Sequence, residues 1–104
     1  MKPLKRKPTT PGEILSEEFI RPLELTQKEL AGHLGCDIKV VNRIVNGRSS
    51  ITAEMALKLG ATFRTSPDFW LNAQKAVDLY NASRSLKKLP KPISAKKIHG
   101  SEAA

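Results

Sequence analysis

One cysteine, five aromatic residues and the lack of any long apolar run are the scarcities of this 104-residue chain. Cys36 stands alone, so no internal disulfide can form. With His33 and His99 it makes no recognisable zinc set. His33 and Cys36, three apart, come nearest to a metal pair, but a turn cysteine beside a solvent-facing histidine is the ordinary reading. No cofactor is expected. No apolar stretch approaches the roughly 20 residues of a membrane span, and the basic start lacks the apolar segment of a signal peptide. A cytoplasmic chain with no membrane partner is the expectation. There is no Ser/His/Asp set, no phosphate-cradling glycine loop and no acidic pair with a metal role, so the chain is not expected to be an enzyme.

Charge is plentiful but unevenly placed. Lys and Arg number 18 against 10 Asp and Glu, a net of +8. Lys2, Lys5, Arg6 and Lys7 crowd the first eight residues, and Arg84, Lys87, Lys88, Lys91, Lys96 and Lys97 lie after Ser83. From Thr9 to Ser83 basic and acidic side chains nearly balance. A high isoelectric point therefore does not by itself make the middle a nucleic-acid surface; local clustering has to carry that argument. The chain divides into a basic arm at 1–8, a domain at 9–83, and a basic tail at 84–104 expected to fray.

The middle reads as five helices, with no sustained strand-like alternation. In "TPGE" Thr10 is an N-cap, Pro11 takes the first helical position, and Glu13 completes a capping box. That helix runs to about Ile20, and Pro22 blocks its continuation. "LTQKEL" repeats the signal: Thr26 caps, Glu29 reaches back, and Leu25 with Leu30 forms a hydrophobic staple. The second helix ends at Leu34 because Gly35 suits a left-handed stop. Asp37 caps a third, Ile38 to Asn46, which Gly47 closes. A fourth starts at cap Thr52 and extends towards Thr62, with Gly60 expected to weaken its end. In "TSPDFW" Ser66 caps a fifth, which continues to about Ser83.

The third helix is the most informative. On a wheel of about 100° per residue, Lys39, Asn42, Arg43 and Asn46 fall within an arc of about 100°. Ile38, Val40, Val41, Ile44 and Val45 occupy the other side. The polar side chains are of types that read bases and phosphates, and no acid dilutes them. Arg48, Ser49 and Ser50 follow at once with further phosphate donors. An ordinary amphipathic surface helix shows a similar wheel, so periodicity leaves the two readings about even. The spacing decides between them. A short helix, a glycine turn and a helix with a polar face, with small Ala31 four residues before Gly35, form a helix-turn-helix, whose second helix enters the major groove.

The stretch "LTQKELAGHLGCDIKVVNRIVNG" resembles the helix-turn-helix of XRE and lambda-type repressors. Gln27, Ala31, Gly35, Val41, Ile44 and the closing Asn46-Gly47 carry the match. "TPGEILSEEFIRPLELTQKELA", "VNRIVNGRSSITAEMALKLG" and "TSPDFWLNAQ" extend it to the HigA-type antitoxins, also called the virulence-associated protein I group, from about Thr9 to Tyr80. The resemblance implies an all-α, compact five-helix, lambda-repressor-like domain, a homodimer, and double-stranded operator DNA as partner. It further implies repression of the chain's own toxin–antitoxin operon and inhibition of an mRNA-cleaving RelE-type toxin. Asp37, where many relatives have serine or threonine, and Val40, in place of a small hydroxyl, leave the operator sequence open.

The expected DNA-contacting residues are Gln27, Lys39, Asn42, Arg43, Asn46 and Arg48. Phe69, Ala73, Ala76, Val77 and Tyr80 form a stripe on the fifth helix and are expected to pack in the core. Trp70 and Leu71 point off that stripe, which suggests a dimer contact. Glu13, Glu17 and Glu18 on the first helix form a solvated acidic face, or a contact for a basic toxin. A stand-alone repressor without a toxin is the competing function. An interaction protein that has lost DNA binding is disfavoured by the intact polar face.

Overall fold

The computed structural model describes residues 6–94. The parts of the basic arm and tail at 1–5 and 95–104 lie outside the described residues, and Lys2, Lys5, Lys96, Lys97 and His99 with them. The described chain is all-α. Helix α1 (Pro11–Ile14) passes directly into a π-helical stretch, Leu15–Ile20, followed by α2 (Gln27–Leu34), α3 (Ile38–Val45), α4 (Ala53–Phe63) and α5 (Pro67–Ser85). Arg84 and Ser85, expected in the fraying tail, are still helical.

Local chemistry sets the helix starts. Glu13 N–H donates to Thr10 Oγ1 at 3.1 Å while Thr10 N–H donates to Glu13 Oε1 at 2.8 Å. Thr26 and Glu29 reproduce the exchange at 3.0 and 2.8 Å. Both pairs satisfy amide groups that the first turn of a helix leaves without partners. The π-helical stretch was not foreseen. In it Arg21 N–H donates to Ser16 O, five residues back. The widened turn seats adjacent Phe19 and Ile20 against the core, while Glu17 and Glu18 stay exposed.

Eleven apolar side chains form the core, and no polar or charged residue is buried among the described residues. Trp70 is its largest member and is fully buried. Its indole Nε1 donates to Thr65 Oγ1 at 2.7 Å, so burial leaves no polar atom unsatisfied. The rings of Phe19 and Phe63 lie 5.5 and 6.5 Å from it, and Phe69 meets it edge-on at 5.1 Å. This corrects the reading of α5. The helical stripe places Phe69 in the core and Trp70 against a second chain; in the structure Phe69 is 40% exposed and Trp70 is sealed. An indole enclosed by Phe19 of the π-helical stretch, Phe63 of α4 and its own helix cannot reach a partner. Leu71 is half-buried against the same core. Gly60 is also more than a weak helix residue, because a Cβ there would come within 2.8 Å of Thr65 O.

The tightest approach joins α1 to α3. A Cβ on Gly12 would overlap the carbonyl oxygen of Ile44 and lie 2.7 Å from that of Val45. No side chain can be accommodated there without separating the two backbones. Gly12→Ala is therefore expected to cost roughly 1–3 kcal/mol, the range for overpacking a well-filled site. Thermal or urea unfolding of the variant reads this directly, and an unchanged midpoint would refute the contact.

Candidate nucleic-acid interface

Two glycine stops present the interface. Gly35 takes φ +74°, and the next N–H, that of Cys36, donates to Ala31 O at 3.0 Å. Gly47 takes φ +72°, and Arg48 N–H donates to Arg43 O at 2.8 Å. Both are the left-handed closure that lets a chain turn sharply off a helix end. The first turns the chain from α2 into α3. The second turns Arg48 back beside the helix it follows. Between them Asp37 caps α3 by accepting from Lys39 N–H at 2.8 Å.

Helix α3 buries Val41 and Ile44, and Val40 and Val45 are half-buried. Its opposite face forms an open hollow of about 390 Å³ lined by Gln27, Ile38, Lys39, Asn42, Arg43 and Arg48. Five of the six expected DNA-contacting residues meet there. Asn46, the sixth, stands beside it and is bonded to Asn42. Three cations share the hollow with no acid in its lining. Among the described residues none of the three has an ion-pair partner, since the pairs there are Arg21–Glu17 and Lys58–Glu54. Unneutralised cations on an exposed helix face suit phosphate oxygens and the acceptor edge of guanine.

Two participants were missed. Ile38 was assigned to the apolar side, yet it is 44% exposed and lines the hollow. On the wheel it lies only about 40° from Asn42, at the border between faces; an apolar side chain there suits a thymine methyl. The other is Gln74 on α5. Its Oε1 accepts from Ile51 N–H at 2.9 Å, and its Nε2 donates to Asp78 Oδ1 at 3.0 Å. This clamp holds the loop carrying Arg48, Ser49 and Ser50. Nothing in the sequence around Gln74 signals this clamp, because its partner Ile51 lies 23 positions away.

The acidic candidates lie elsewhere, and two are already engaged. Glu13 serves the α1 cap, where donation from Thr10 N–H holds its carboxyl below the usual range. Glu17 pairs with Arg21 at 3.3 Å on the surface. Glu18 is exposed and has no ion pair among the described residues. No group of His, Cys, Asp and Glu among those residues could hold a metal ion, and no described helix is long and apolar enough to cross a membrane.

Comparison with known proteins agrees with this geometry. Residues 17–70 match the family model described as helix-turn-helix. An uncharacterised HTH-type transcriptional regulator of Haemophilus influenzae is 49% identical over 78 residues, 75% of this chain and 73% of its own. Antitoxin HigA-1 of Vibrio cholerae is 42% identical over 81 residues, covering 78% and 76%. The structure of Pseudomonas aeruginosa antitoxin HigA with the higBA promoter superposes with a TM-score of 0.74 at 38% identity, covering 76% of this chain and 86% of that one. These two relatives are named as a transcriptional regulator and an antitoxin.

Arg43 is the side chain best suited to a guanine edge. Arg43→Ala is expected to weaken binding to a preferred duplex by about 1–3 kcal/mol and to relax base preference at one position of the recognised sequence. Titrations against a panel of single-base variants measure both. Unchanged affinity and preference would place the groove elsewhere.

Proposed function

Because this chain belongs to the helix-turn-helix family and is related to the HigA antitoxins, we propose that it is a sequence-specific DNA-binding antitoxin. It represses its own toxin–antitoxin operon and neutralises a RelE-type mRNA-cleaving toxin. The observation that carries the DNA half is the hollow on α3, which gathers Lys39, Arg43 and Arg48 around amide side chains with no acid in its lining. The toxin half rests on kinship with antitoxins, 42% identity to the Vibrio cholerae protein above all. The regulator of Haemophilus influenzae, at 49%, favours a second reading: a repressor with no toxin client.

One helix-turn-helix reads only a few base pairs, so the active form is a homodimer on a two-fold operator, with half-sites about one helical turn or a multiple apart. With Trp70 sealed, the contact between copies is assigned to the second half of α5 and the residue that caps its end, Leu86. There Leu79 and Leu86 are 50% and 54% exposed beside an apolar hollow of about 490 Å³. Introducing arginine at both, as Leu79→Arg with Leu86→Arg, is expected to halve the mass seen by sedimentation and to leave one chain per half-site duplex. A variant that stays dimeric would exclude this surface.

The toxin contact is proposed on the acidic side of the first helix. Glu13 is bound into the cap, so reversing it would damage the helix start; Glu17 and Glu18 are the informative pair. Co-purification with the product of the adjacent reading frame, followed by an mRNA-cleavage assay, tests inhibition. Glu17→Lys with Glu18→Lys is expected to weaken toxin capture at least several-fold. Full inhibition by the reversed protein removes this helix from the contact, and failure of the unaltered chain to bind any neighbouring product favours the stand-alone repressor.

A further inference from the structure

Side-chain amides form a chain across the helix-turn-helix. Asn46 Nδ2 donates to the main-chain carbonyl of Asn42 at 2.9 Å and to Asn42 Oδ1 at 3.3 Å. Asn42 Nδ2 donates to Gln27 Oε1 at 3.1 Å. An isolated amide can turn over and exchange its oxygen for its nitrogen. Here a fixed group decides the direction. The main-chain carbonyl of Asn42 only accepts, so Asn46 must offer it nitrogen. That same nitrogen requires the oxygen of the Asn42 side chain beside it. The Asn42 nitrogen is thereby turned towards Gln27, which must answer with its oxygen.

The outward ends follow. Gln27 keeps Nε2 unspent, a donor suited to phosphate oxygens, which only accept. Asn42 keeps one N–H and one lone pair. A donor and an acceptor on one amide match adenine, which offers N7 as acceptor and its N6 amino group as donor. A turned-over amide in the same place would set oxygen against N7 and nitrogen against the amino group, and both contacts would fail.

We propose that Asn46 and Gln27 are positioning residues that lock the Asn42 amide in the adenine-reading direction. Base choice at one position per half-site then depends on Asn46, which itself need touch no base. The inference rests on α3 being the DNA-reading helix, and its test separates the two claims.

The full chain first selects a duplex from a random pool. Each adenine of that duplex is then replaced in turn by 7-deazaadenine, which lacks the N7 acceptor, and by purine, which lacks the amino group. At one adenine per half-site, each analogue removes one bond of the bidentate pair and is expected to weaken binding of the unaltered protein roughly tenfold, and in Asn46→Ala the penalty should shrink below about threefold. In Gln27→Glu it should persist, because the carboxylate still accepts from Asn42. The penalty is a ratio within each variant, so a general loss of affinity or stability cancels. If no duplex is enriched, the DNA reading fails and the lock with it. If a duplex is enriched but no adenine shows the penalty, or Asn46→Ala keeps it in full, the lock is overturned and the DNA reading stands.

Discussion

The pose of helix α3 depends on a contact between main chains. Gly12, buried at the start of α1, lies directly against the carbonyls of Ile44 and Val45 at the end of α3. Main chain has no rotamers with which to absorb displacement, so this contact sets the depth and angle of the helix more firmly than side-chain packing could. Val41 and Ile44 fix its rotation about its own axis. Gln74 then fixes the loop beyond. The α1 contact and the core thus hold α3 from behind, Gln74 holds the loop after it, and its front is left to solvent.

Capping boxes, glycine stops and the polar arc of α3 were legible because each is written within a few consecutive residues. The features that escaped depend on residues far apart in the chain. Nothing near Phe69 and Trp70 says which ring faces the core. That is decided by Phe19 and Phe63, and by Thr65, which receives the indole N–H. Pro11-Gly12 reads locally as a helix start; its function as a spacer against Ile44 needs the fold. Ile38 shows the limit of a helical wheel, since a residue at the border between faces follows whichever neighbour leaves room. The six expected DNA contacts cluster because helix periodicity and one tight turn suffice to gather them.

Charge is partitioned between the helix-turn-helix and the first helix. The hollow on α3 holds three cations and no acid, whereas Glu17 and Glu18 sit on the exposed side of the π-helical stretch. A surface divided in this way orients approach to a polyanion before any contact forms.

The absence of polar or charged residues from the described core has a bearing on how such a protein diversifies. Every residue expected to touch a base projects from a scaffold whose cohesion is supplied by apolar side chains on the opposite face. Exchanging Lys39 or Arg43 disturbs no buried partner and opens no cavity, so its cost to folding is small. Asn42 is different, because its amide is tied to Gln27 and Asn46. Drift in target recognition should thus be one residue at a time at the cationic positions and concerted among the three amides. Duplicated copies of such a gene could part company through the cations first, long before their folds diverge.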